Sequence, residues 1–126
     1  MKKYELTGET KEEYGVVLHR IRAVKDFSNV KVGDLGGWLE KESNLSHYGN
    51  CWVQGNAKVY DNASVYDNAS VSGDAKVYDN AEVYDNAKVY DNALVSGNAK
   101  VYDNALVSGN AKVYDNALVS GNALVS

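Results

Sequence analysis

The sequence predicts an all-β protein: a solenoid of stacked parallel β coils behind a small N-terminal β cap. A valine stands at every sixth position from Val53 to Val125, and from Ala57 onward an alanine precedes each valine by two residues. Self-similarity at a short fixed spacing marks a repeat solenoid. An α-helix turns once per about 3.6 residues, so positions six apart leave a common face, whereas positions two apart on a strand share one side. The alanine and valine of each unit therefore point inward together, with one outward residue between them.

The rest of each unit reads Tyr-Asp-Asn, as in Tyr60-Asp61-Asn62, or Ser-Gly-Asn, as in Ser96-Gly97-Asn98. Gly and Asn tolerate positive φ, and Asp and Ser bond nearby backbone groups, so these triplets are corners. Each hexapeptide is one short strand and one turn. An aliphatic residue followed four places later by a small one, as in Val59 and Ala63, resembles the hexapeptide signature of left-handed parallel β-helices. That resemblance implies a single-stranded left-handed triangular solenoid in which three hexapeptides, hence 18 residues, complete one coil.

Residues 18 apart then become axial neighbours at about 4.8 Å, the ordinary interstrand distance. Three interior columns follow: Val53, Val71, Val89, Val107 and Val125; Val59, Val77, Val95 and Val113; Val65, Val83, Val101 and Val119. Cys51 takes an alanine position in the first unit, and Asn62, Asn80, Asn98 and Asn116 line up at one corner. No coil buries its valines alone, so stability comes from stacking.

Residues 1–44 lack the alanine-valine repeat and are expected to form the cap, leaving 45–126 as a β-helix of about four coils, roughly 20 Å long at that strand spacing. Tyr4 and Leu6 alternate with polar residues, a polar stretch runs from Gly8 to Gly15, and Val16 to Val24 is rich in β-branched residues, which together suggest a hairpin with a long loop. Such a cap covers the otherwise unpaired backbone of the first coil. Gly33, Gly36 and Gly37 mark tight turns leading to Trp38 and Leu39, large apolar residues placed to plug the narrow end. A phosphate loop is a poor reading of these glycines, since no Gly-Lys-Ser/Thr sequence accompanies them.

Composition narrows the function classes. The net charge is −4, with eight basic and eight acidic residues in 1–56 against five and nine in 57–126. The repeat thus lacks the concentrated basic surface that nucleic acid requires. Arg20, Arg22, Lys25 and Lys31 are interspersed with Glu12, Glu13, Asp26 and Asp34 and read as a solvated surface. The single cysteine excludes an internal disulfide framework, no apolar run resembles a signal peptide or membrane span, and a cytoplasmic location is expected.

The string IRAVKDFSNVKVGDLGGWLEKESNLS, from Ile21, followed by GNCWVQGNAKVY, resembles bacterial and phage-encoded hexapeptide-repeat proteins of the YdcK-like type, to which transferase activity is ascribed. The likeness runs from Ile21 to the C-terminus, and its most specific element is GDLGGWLE. It implies a left-handed β-helix behind a small β cap; the ascription of transferase activity rests mainly on shared fold, and fold does not imply function.

The chemistry-bearing residues are few. Left-handed β-helix acyltransferases use a histidine base between subunits, and this chain has only His19 and His47, both outside the regular coils. His47 is the one catalytic candidate, weighed against a structural histidine; two histidines fall short of a three-histidine zinc site, and Cys51 in an inward slot is expected to be inert. Asp61 and Asp79 stack at one corner and Asp67, Asp85 and Asp103 at another, where a cation could bridge them, although solvated carboxylates near Lys58, Lys76 and Lys100 explain them more simply. No cofactor is expected. Tyr60 and Tyr78, and Tyr66, Tyr84 and Tyr102, form aromatic ladders that either stack on sugar rings or bases, or simply cover the corners.

The outward residue becomes leucine at Leu94, Leu106, Leu118 and Leu124, which together with Val125 put an apolar exterior near an uncapped edge. Such an edge predicts self-association. The expected function is a non-catalytic structural or interaction solenoid forming homo-oligomers through that end, with no nucleic acid or membrane partner. The alternatives are an acyltransferase-like enzyme using His47 and a carbohydrate-binding rod using the tyrosines.

Overall fold

A computed structural model describes residues 2–126 and shows a β-solenoid whose coils repeat every 18 residues. Each hexapeptide contributes a two-residue strand such as Lys58–Val59, followed by a turn closed by the alanine amide, as Ala63 N–H donates to Tyr60 O at 3.2 Å. Outward amides reach the next coil, Lys58 to Ala75 O at 3.0 Å and Tyr60 to Val77 O at 3.1 Å. The strands stack in parallel into three sheets, pairing Val53 with Val71, Val59 with Val77 and Val65 with Val83. Every valine from Val53 to Val107 is fully buried. Each contributes roughly 1.5–3 kcal/mol by its removal from water.

The solenoid starts earlier than the alanine-valine pattern. Strand β3 (Leu35–Leu39), inside the stretch expected as cap, pairs in parallel with the first repeat, placing Leu39 against Val59, and Leu45 bridges to Val65. Leu39, Leu45 and Val53 thus head the three columns, making about five coils where the repeat alone implied about four. The six-residue spacing survives between Leu39 and Leu45, but with Gly37 and Ser43 in the alanine places. Gly37 compensates for the larger leucine: a Cβ there would lie 2.6 Å from Ala57 O and 2.7 Å from Val53 Cγ1. From Leu45 to Val53 the spacing is eight, so two extra residues bulge from the first coil around His47.

The cap proper is a hairpin of β1 (Tyr4–Glu13) and β2 (Val16–Ala23). Its expected long loop is a strand. The polar residues pair across to β2 as far as Glu13 with Val16, with a bulge between Leu6 and Thr10, and the turn is only Tyr14-Gly15, at φ 56° and 77°. Two consecutive positive φ values suit the twist of a tight hairpin. The hairpin then pairs antiparallel with β3, aligning His19 with Leu39, and so covers the first rung of one sheet. Of the two residues expected to plug the end, Leu39 does head a core column. Trp38 faces outward, buried beneath the hairpin with Leu18 and Tyr60 and flanked by Lys11 at 4.2 Å and Arg20 at 5.3 Å from its ring. Among the described residues no helix is long and apolar enough to cross a membrane.

Candidate functional site

His47 sits in the bulge of the first coil, where the cap meets the solenoid. Its ring stacks on Tyr4 at 4.1 Å, and its Nδ1 accepts the Lys3 amide at 3.2 Å. The proton of the neutral ring therefore resides on Nε2, which lies 3.7 Å from Glu42 Oε1. Burial holds the His47 pKa below its ordinary value despite Glu42. Tyr4 anchors the assembly from the other side, its single hydroxyl proton shared between Leu45 O at 2.6 Å and Glu42 O at 2.9 Å.

Lys3 is fully buried beside it, with Nζ 2.6 Å from Cys51 O, 3.2 Å from Gly49 O and 4.6 Å from the Phe27 ring centre. The same Nζ is 3.4 Å from Cys51 Sγ. Burial lowers the lysine pKa and raises that of the thiol, so Cys51 stays protonated and is a poor nucleophile. These residues lock the N-terminus onto the first coil. Lys3 Nζ, Tyr4 Oη and His47 Nδ1 meet backbone partners while His47 Nε2 makes no hydrogen bond, and His19 lies apart on β2 opposite Leu39.

The stacked aspartates are brought together as columns, and the geometry shows how they tolerate one another. Asp61, Asp67, Asp79, Asp85 and Asp103 all occupy left-handed φ between 56° and 59°. Each carboxylate accepts the amide of the residue one coil on: Asp61 from Asp79 at 3.2 Å, Asp67 from Asp85 at 3.3 Å, Asp79 from Gly97 at 3.0 Å. Asp85 accepts from Asp103 at 3.1 Å and Asp103 from Gly121 at 3.0 Å. A donor thus stands between successive negative charges, and Glu40 plays the same part above Asp61 at 2.8 Å.

The tyrosines form parallel stacks, Tyr60 on Tyr78 at 5.2 Å, Tyr66 on Tyr84 at 4.9 Å and Tyr84 on Tyr102 at 5.2 Å, with interplanar angles of 1–4°. Tyr14 of the hairpin turn extends the first stack, 5.6 Å from Tyr60. Within a continuous stack each ring face is covered by its neighbour, so a sugar or base meets ring edges there. Burial, the largest cause, raises the Tyr60 and Tyr66 pKa values, so both hydroxyls remain protonated well into alkaline conditions.

The four outward leucines are distributed over all three faces. Leu106 adjoins Leu124, while Leu94 lies between Lys76 and Lys112, and Leu118 beside Lys100. Leu118 and Leu124 are 63% and 71% exposed, Val125 is half-buried, and Leu94 and Leu106 are partly covered.

One feature was missed by the sequence reading. A cleft of about 400 Å³ opens where the 24–34 loop overhangs the face carrying Trp52, Ser70 and Lys88. Its walls include Asn29, Asn50, Gln54 and Asn68, neutral hydrogen-bonding groups, and none of its lining residues is His, Cys, Asp or Glu. The signal lay in the departures from repeat consensus at Asn50, Trp52 and Gln54, whose convergence depends on where the loop folds.

The comparisons with known proteins bear on this frame. Residues 111–126 match the family model described as the YdcK beta solenoid repeat. A segment of 61 residues, 42% of this chain, is 39% identical to the Escherichia coli (strain K12) protein named "Uncharacterized acetyltransferase YdcK". The chain is a β-solenoid whose repeat resembles that of YdcK. The match covers 19% of the length of the E. coli YdcK protein, and the acetyltransferase name belongs to that whole protein. In the YdcK-like repeat described here, the matched residues 111–126 supply the last coil, including Val113, Val119 and Leu124.

Proposed function

We propose that the chain is a non-catalytic β-solenoid module of the cytoplasm, a rigid rod that presents repeated corners to partners and associates with a second copy through its last coil. The observation that carries this reading is the state of that coil. Leu106 and Leu124 adjoin on one face there, and Leu118 stands beside Lys100 on another. Leu118 and Leu124 are exposed. Exposed leucines gathered on one coil gain from burial against a second copy.

Light scattering across a concentration series tests the association. A dimer or higher oligomer that becomes monomeric in Leu118→Glu with Leu124→Glu, with circular dichroism unchanged, supports the reading. A wild-type monomer at high concentration overturns it.

The name of the E. coli relative favours a second reading, acetyl transfer, which would have to use His47 near the cap. Its support is weaker, because Nδ1 is committed to the Lys3 amide and the ring to Tyr4. Calorimetric titration with acetyl-CoA decides between them: tight binding abolished by His47→Ala would favour the enzyme.

A further inference from the structure

The tyrosine column on one corner reads Tyr60, Tyr78, Ser96, Tyr114. Among the described residues this is the one place where a serine rung lies directly between two tyrosine rungs. In the neighbouring columns Tyr66, Tyr84 and Tyr102 are continuous, and Tyr90 stands alone between Ser72 and Ser108. Ser96 therefore leaves a ring-sized vacancy in an otherwise regular stack. A cavity of about 370 Å³ occupies the spot, bounded by Tyr78, Tyr114, Ser96, Gly97, Leu94 and Lys112.

We propose that this gap binds a single planar aromatic ring, carried by a phenol or an aromatic amine, in the place of the absent tyrosine. Two rungs separate Tyr78 from Tyr114 by about 9.6 Å along the axis, twice the strand spacing. Tyrosine rings in the filled ladders lie 4.9–5.2 Å apart and within 4° of parallel. One inserted ring in that pose contacts an aromatic face on both sides. Each such contact is favourable beyond area burial. The exposed faces of Tyr78 and Tyr114 thus differ from those inside the continuous stacks, which are already covered.

The rim adds selectivity. Leu94 gives an apolar wall, and Gly97 lets the Asp115 backbone approach closely at the corner, where a Cβ would lie 2.7 Å from Asp115 N. Asp79 and Asp115 border the gap as acceptors, while Lys112 is the cation beside it. Two carboxylates against one ammonium favour a ring bearing hydrogen-bond donors or a positive arm. The inference does not rest on association through the last coil, although Lys112 and Tyr114 belong to that coil.

The test is a proton NMR titration of the full chain with tyramine, a phenol with a cationic arm, up to about 10 mM, the range suited to a one-ring ligand. The expected result is upfield movement of the tyramine ring protons together with shifts of the Tyr78 and Tyr114 ring signals. Ser96→Tyr fills the vacancy with the residue the repeat uses at that rung, so it should fold and weaken tyramine at least tenfold. Ser108→Tyr, on another corner, should leave binding unchanged. No shift with the wild type, equal binding by Ser96→Tyr, or binding of methyl glucopyranoside in preference to tyramine would each overturn the proposal.

Discussion

Asp85 accepts through Oδ2 the amide of Asp103, the residue one coil further along the same corner, at 3.1 Å. Both residues hold left-handed φ, 57° and 59°. One side chain thus meets two requirements of the repeat, since aspartate tolerates this backbone region and supplies an acceptor for an amide that the turn leaves pointing along the axis. Glycine at Gly97 and Gly121 meets only the first.

Replacing Asp85 separates the two contributions. Asp85→Gly loses the acceptor but keeps an unstrained backbone, and should cost less than about 1 kcal/mol. Asp85→Ala loses the acceptor and pays the left-handed penalty, for about 1–2 kcal/mol. Urea denaturation of the two variants checks the order; an alanine variant as stable as the glycine one would refute the backbone argument.

Gly49 stands at φ 71° in the bulge of the first coil, where an added Cβ would come 2.4 Å from Asp67 O. That oxygen accepts the Cys51 amide at 3.0 Å. Gly49→Ala should therefore destabilise the chain by about 2–4 kcal/mol, from overpacking and backbone strain together. Hydrogen exchange should quicken first at Cys51 and in the cap.

The half-buried His47 gives stability a pH dependence. Its folded pKa lies below the unfolded value of about 6.5, so the unfolded chain binds the proton first. The stability is fully present above that value and is lost as pH falls through it toward the folded pKa. The urea midpoint should drop between about pH 7.5 and 5.5. In His47→Gln, whose side-chain oxygen can still accept the Lys3 amide, the slope over this window should flatten.

Position along the rod should grade the cost of core truncation. Val83 is fully buried between coils on both sides, whereas Val119 in the last coil is 8% exposed. Val83→Ala should cost about 2–3 kcal/mol and Val119→Ala less than half of that. Equal losses in thermal melts would argue against nearest-neighbour stacking as the source of stability.

The valine columns were legible because side chains two apart share a face, and a period of six keeps every unit in phase. The start of the solenoid was not. Leu39 and Leu45 preserve the spacing, but Gly37, Ser43 and the two additional residues before Val53 hide the motif, and only the pairing of Leu39 with Val59 exposes it. Likewise the polar run from Gly8 to Glu13 lacks a buried face of its own, so its strand character comes from pairing with β2.

By itself the sequence determined the repeating coil, the interior valines and the tyrosine and aspartate columns, since each follows from local periodicity. Tertiary structure decided what those columns do. It turned stacked carboxylates into acceptors for axial amides, committed His47 to Lys3 and Tyr4, and folded the 24–34 loop over Trp52. Those outcomes depend on contacts between residues roughly 18 to 44 positions apart, whose partners no local pattern names.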